Sequence, residues 1–192
     1  MKIQRVLIVI QSLIFILFFL SSCTSTRYIT HTKRSGVEQL LVTKAIDRAV
    51  AKIDNLHISG SRIFFEIASL APEEEAYLKK ALTHWFLENG AIMVDDRNEA
   101  DLIASVLVKC VSTDRFEAGF GIPSIPIPLA GVVTPKIDIF GIKRQKGYSE
   151  MEIAIYSSGT GKFKQKTDSL IGKARFDTYT ILLIPVPSNN IY

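Results

Sequence analysis

The chain has 192 residues, 47% of them hydrophobic, with 23 basic and 19 acidic side chains and a formal net charge of +4. Two of those positive charges, Lys2 and Arg5, stand at the extreme N-terminus, so the excess is too small to point to nucleic acid. The length suits one domain able to bury a core.

Lys2 and Arg5 precede an apolar run over residues 6–20, broken only by Gln11 and Ser12, and small residues lead to Cys23. That is the layout of a secretory signal. The run falls short of the roughly 18 apolar residues of a spanning helix, and no basic cluster directly follows it. Leu20-Ser21-Ser22-Cys23 resembles the lipobox of bacterial lipoproteins. That resemblance implies cleavage before Cys23 and acylation of its thiol and new amine. At about 0.8 kcal/mol per buried CH₂, one acyl chain holds a protein marginally and two or more hold it firmly. Thr24, where an Asp would mark retention in the inner membrane, resembles the outer-membrane address of Gram-negative lipoproteins. The expected organisation is a signal peptide at 1–22, a lipidated tether at 23–34 and one domain at 35–192. Cys110 is then the only free thiol, which excludes an internal disulfide.

Within the domain, Ser35 and Glu38 match a capping box, and Leu40, Leu41, Ala45, Ile46, Ala49, Val50 and Ile53 recur at helical spacing, predicting a helix over 36–53. Residues 62–68, RIFFEIA, predict a strand. Pro72 at the first helical position, Glu73 to Glu75 behind it and the stop at Asn89-Gly90 frame a second helix with Trp85 as a core anchor. Residues 91–94 read as a short strand. Residues 102–111 read as a central strand apolar on both faces, with Cys110 buried and inert. Beyond a long Pro-rich loop, strands are expected at 136–143, 148–157, 163–168 and 179–184, with turns at 143–147 and 157–161 and closure by Pro185 and Pro187.

No motif specifies a reaction. DDRNEAD, residues 95–101, lacks the alternating oxygen ligands and distal Glu of a calcium loop and reads as turn residues. His31, His57 and His84 are scattered and read as structural. SSGTGK, residues 157–162, has the wrong spacing for a phosphate loop and reads as a hairpin turn. GFG, residues 119–121, lacks the third glycine of a dinucleotide fingerprint. No catalytic residue, metal ligand or cofactor is assigned.

Two surfaces remain as candidates. Lys162, Lys164 and Lys166 alternate along one strand face, either guarding an edge against unwanted pairing or binding anionic headgroups or peptidoglycan carboxylates. The stretch 116–135 is too apolar for disorder and too long for an ordinary connection. Its prolines 123, 126 and 128 favour an extended backbone. It either folds over its own sheet or presents Phe116, Phe120, Ile122, Ile125, Ile127 and Leu129 to a partner, a second copy or the membrane.

The lipobox together with TKRSGVEQLLVTKAIDRAV (32–50), ENGAIMVDDRNEADLI (88–103), GIPSIPIPLAG (121–131) and TGK (160–162) resembles an uncharacterised family of bacterial lipoproteins. The order helix, strand, helix, Asn-Gly stop, then EAD opening a buried strand is more distantly similar to the periplasmic α/β domain of curli-secretion lipoproteins. The expectation is an α+β fold, two helices packed on one face of a mixed β-sheet with a long Pro-rich arm. The expected role is non-catalytic binding or scaffolding in the cell envelope, from an outer-membrane lipid anchor facing the periplasm. The partner would be an envelope protein or a second copy. The rivals are a ligand carrier or enzyme with a cleft between sheet and arm, near Asp114, Glu117 or His57, and an oligomeric secretion accessory.

Overall fold

A computed structural model describes residues 24–28, 35–54, 56–127 and 132–191. The signal run, Cys23, His31 and Leu129 lie outside them. The fold is α+β, a mixed sheet with two helices. In chain order the elements are β1 (Thr24–Tyr28), α1 (Gly36–Val50), β2 (Arg62–Ser69), α2 (Glu75–Glu88), β3 (Ile92–Met93), β4 (Leu102–Ile122), β5 (Pro126–Ile127), β6 (Val132–Val133), β7 (Ile137–Ser157), β8 (Phe163–Lys166), β9 (Leu170–Ile181) and β10 (Ile184–Asn189). The strands pair in the order β10-β9-β7-β4-β2-β3, with β1 also on β4 and β8 also on β7, while β5 and β6 form a separate small ribbon.

The chain divides into two compact units. The helical unit holds the described residues of Ile29–Asp114, Gln145–Phe176 and Asn189–Tyr192. Its first helix begins as expected, with the Ser35 amide donating to Glu38 Oε2 at 2.8 Å and the Glu38 amide donating to Ser35 Oγ at 3.4 Å. These two bonds satisfy donors that a helix start leaves orphaned. α1 buries Leu41, Val42, Ala45, Ile46, Ala49 and Val50, whereas Leu40 is exposed. It ends at Val50, three residues early, because turn bonds from the Lys52 and Ile53 amides to the Ala49 and Val50 carbonyls take over; Ile53 is still buried.

The second helix starts at Glu75 after a turn over 72–74, so Pro72 precedes the helix instead of opening it. It stops at Asn89, with Gly90 at φ 80°. Leu78, Leu82 and Phe86 are its buried stripe. Trp85 is partly buried beside them, edge-on to Phe86 with ring centroids 5.3 Å apart. β2 runs parallel to both β3 and β4, from Ile63 opposite Leu102 to Ser69 opposite Val108. Parallel neighbours need a crossover between them, and α2 lies in the connection from β2. Both helices and the start of β4 join one core with Ile63, Phe65, Met151, Ile153 and Ile155. Cys110 is half-buried, its Sγ 3.4 Å from Ser112 Oγ, and not sealed in the core as expected.

DDRNEAD is structural. Asp96 accepts from the Asn98 amide at 2.9 Å to open a short 3-10 turn, and Asp101 receives Arg62 at 2.9 Å. The hydrogen bonds from Arg62 hold the Asp101 carboxyl at about 2, well below its ordinary value of 3.8. A carboxyl depressed in this way stabilises the fold above its unfolded pKa, and the stabilisation is lost as pH falls through the folded value. Asp101→Asn should therefore lower the melting temperature at pH 6, and the difference should have shrunk to a small part of that by pH 2. An equal difference at both values would show that the ion pair is not the cause.

The β unit holds β1, Arg115–Arg144 where described, and Asp177–Ser188. Here four expectations give way. β4 runs on through Ile122, so the first part of the presumed loop is strand, and the remainder carries the β5/β6 ribbon. The turn expected at 143–147 does not exist: β7 is continuous over 21 residues. Lys143 is held by Glu117 at 3.4 Å and Arg144 by Asp177 at 3.2 Å, so both are paired within the sheet. The strand expected at 179–184 contains a turn. Leu182 and Leu183 reverse the chain between β9 and β10 with φ of 49° and 73°, and Pro185 and Pro187 lie within β10. Thr24–Tyr28, expected within a tether, pairs antiparallel with β4 from Thr24 opposite Gly119 to Tyr28 opposite Arg115.

Candidate functional site

Alternation along β4 sorts its residues in the β unit onto two faces. Phe116, Ala118, Phe120 and Ile122 share one face, and Arg115, Glu117, Gly119 and Gly121 share the other. The glycines answer to β7: a Cβ at Gly121 would fall 2.0 Å from the Ile137 carbonyl oxygen. The polar face is internally paired. Arg115 Nε donates to Glu117 Oε1 at 2.8 Å and Lys143 joins the same oxygen. Partial burial works against the Glu117 carboxylate, but the hydrogen bonds and charges of Arg115 and Lys143 outweigh it and keep its pKa below the usual value.

The apolar face has no such partners. Phe116, Phe120, Ile122, Ile125, Val132 and Val133 are all exposed, as are Ile137 and Phe140 on β7. So is the β9/β10 turn, with Leu182 at 64%, Leu183 at 59% and Ile184 at 65% exposure. The Leu183 amide donates to the Ile139 carbonyl at 3.2 Å, which ties this turn to β7. Among the described residues of the β unit, Asp177 is the one buried side chain. Single exposed apolar residues are ordinary; a unit with many, and with no apolar side chain buried among its described residues, is not.

Four of the six residues expected to meet a partner, Phe116, Phe120, Ile122 and Ile125, are thus placed on the exposed surface of one unit. Ile127 belongs to β5, and Leu129 lies outside the described residues. The Leu182-Leu183 turn escaped the sequence reading because it carries no Gly or Asn. The available signal was charge: no Asp, Glu, Lys or Arg occurs over 118–135 or over 178–192.

The lysines divide. Lys164 and Lys166 lie in β8, which pairs with β7 through Lys166 opposite Ala154 and Gln165 opposite Ile155, and Lys162 precedes the strand. Lys166 is committed to Glu152 at 3.0 Å, and Lys109 meets the same carboxylate at 3.3 Å. Those hydrogen bonds hold Glu152 below its ordinary pKa. At least one member of the lysine face is therefore already neutralised. SSGTGK forms the hairpin between β7 and β8, closed by Ser157 N to Lys162 O at 2.9 Å with Gly161 at φ 66°.

His57 stands 3.5 Å from Gln165 Oε1. His84 lines a groove of ≈ 460 Å³ with Asp47, Tyr77, Lys80, Trp85 and Glu88. In this groove the Tyr77 hydroxyl donates to Asp47 at 2.9 Å, and burial together with that bond pushes its pKa up to about 12. A phenol so held is a structural donor at neutral pH. Three grooves on the helical unit, this one included, are lined by neither Asp114, Glu117 nor His57. Among the described residues no group of three His, Cys, Asp or Glu side chains is placed to hold a metal ion, and no helix is long and apolar enough to cross a membrane.

Comparison with family models, with curated proteins and with solved structures gives no match. What can be said of function therefore rests on the residues of this chain.

Proposed function

We propose that this chain is a lipoprotein of the bacterial cell envelope, acylated at Cys23 and facing the periplasm from the outer membrane. Its role is non-catalytic binding or scaffolding of other envelope components. The single observation that carries the binding role is a β unit whose apolar side chains are exposed and whose one described buried side chain is an acid. Burying apolar area is favourable at about 25 cal/mol per Å², so such a surface gains by being covered. The N-terminal pattern supports the anchor. In this reading the two helices cover one face of the sheet, and the Pro-rich segment that follows β4 serves as an arm. The likeness to an uncharacterised lipoprotein family, and the more distant one to curli-secretion lipoproteins, fits the same location.

Cys23→Ala should leave the precursor uncut at this site and abolish acylation, and its product should lose the mass of the acyl chains. With the signal processed by other means, the domain should move from the membrane pellet to the soluble fraction. Unchanged mass and unchanged retention would overturn the anchor. Native mass of the lipidated protein in mild detergent tests the scaffolding role: a defined oligomer or a stoichiometric partner supports it, and a bare monomer with a bound small molecule overturns it.

A further inference from the structure

We propose that the open end of the β unit, the Leu182-Leu183 turn with Ile122 and the β5/β6 ribbon, seats in the lipid leaflet that holds the acyl chains. The proposal deepens the anchor reading and rests on acylation at Cys23.

The pairing of β1 supplies the first reason. Thr24 lies opposite Gly119 and Tyr28 opposite Arg115, so toward its N-terminus β1 advances along β4 in the direction of Ile122. Consecutive Cα atoms are about 3.8 Å apart, so a lipid carried by the residue before Thr24 is one covalent link from the end of β1 that lies opposite Gly119. Acyl chains attached there share one end of the unit with the exposed apolar turn.

Charge supplies the second. The segments 118–135 and 178–192 contain no Asp, Glu, Lys, Arg or His. The nearest charges at the start of β7, Lys136 just before the strand and Asp138 within it, neutralise each other at 3.0 Å. An interface between headgroups and acyl chains accepts such a surface with little desolvation cost and rewards its apolar area.

The turn itself is the third. A two-residue hairpin with both φ angles positive favours Asn-Gly, and non-glycine residues there carry backbone strain. Here both positions are leucine, each more than half exposed. Solvation explains neither choice, whereas contact with acyl chains explains both. A second copy is a poorer occupant, since β10 is the sheet edge and Pro185 and Pro187 remove donors that strand pairing would use.

The test uses the full-length lipidated protein reconstituted into phosphatidylcholine vesicles, with and without bromine on the acyl chains. Leu183→Trp and, independently, Ile122→Trp place a reporter at the open end, while Trp85 on α2 is the constant background. Each added tryptophan should emit at shorter wavelength and lose at least half of its own intensity in brominated vesicles, whereas the parent protein changes little. Two variants on different strands guard against one that fails to fold, which circular dichroism detects. Acylated protein whose added tryptophans are not quenched overturns the proposal. So does emission that instead depends on protein concentration in detergent, which would indicate a second copy. Mass spectrometry of the N-terminal peptide reads the anchor separately: an unmodified Cys23 overturns the anchor reading whatever the quenching shows.

Discussion

Gly172→Ala is expected to lower the melting temperature of the helical unit by about 10 °C, corresponding to roughly 3 kcal/mol in a chain of this size. Gly172 is buried on β9, and a Cβ there would lie 1.8 Å from the Ala45 carbonyl oxygen and 2.7 Å from the Ala49 amide nitrogen. Those atoms are the backbone of α1, so no side chain can rotate away, and the helix must lift. On the adjacent strand Gly147 meets the same helix, its Cβ falling 2.2 Å from the Leu41 carbonyl oxygen. Two glycines on neighbouring strands and the alanines at 45 and 49 let α1 lie directly on β7 and β9. Lifting the helix would expose part of the surface that Leu41, Ile46 and Ala49, all at 0% exposure, now bury. Gly159→Ala is the control, because nothing lies within 4 Å of its Cβ and its φ is not positive. That change should be neutral or slightly stabilising through the unfolded chain. Thermal unfolding by circular dichroism compares the two variants, and equal melting temperatures would show that α1 does not depend on this contact.

Gly147 also illustrates what the sequence concealed. Lys143-Arg144-Gln145-Lys146-Gly147 has the composition of a turn, and local signals alone read it as one. Its glycine is needed for helix approach, and its Lys143 and Arg144 for partners on β4 and β9, all distant in sequence. The same blindness shortened β4: Thr113 to Ile122 mixes polar, small and apolar residues, and only pairing with β1 and β7 makes it strand. Where local chemistry suffices, the reading held. The Ser35/Glu38 box starts α1, Asn89-Gly90 ends α2, and the doubly apolar run from Leu102 lies between neighbours. For the candidate surface, the apolar residues at 116–125 were legible as unusual. Their company at 181–184 was not legible as a turn, because leucines carry no turn signal, and only the missing charge over 178–192 marked it.

Arg144→Met is expected to loosen the β unit while the helical unit remains folded. Asp177 has 0% exposure, and Arg144 Nε meets its Oδ1 at 3.2 Å while the Tyr179 hydroxyl lies 3.5 Å from Oδ2. Hydrogen bonding to Asp177 raises the already high pKa of the Arg144 guanidinium. Removing one partner of a buried pair typically costs about 3–5 kcal/mol; Arg144 keeps a third of its side chain in solvent, which places this case at the lower end. About 3 kcal/mol corresponds to opening on the order of a hundredfold more frequent. Hydrogen exchange should therefore quicken over 137–144 and 177–188, while amides of α2 and of the start of β4 keep their protection. The asymmetry follows from where the core lies: every residue of the large apolar cluster belongs to the helical unit. The β unit must hold its strands together through ladder bonds and polar pairs instead. Arg144→Met combined with Asp177→Leu removes both charges at similar volume and should restore much of the protection. Exchange unchanged in the single variant would mean that the remaining contacts of Asp177 suffice without the guanidinium. If exchange does quicken, the lipid-quenching of a tryptophan at position 183 should weaken in the same variant, because a leaflet can hold the turn only in the register that β9 and β7 give it.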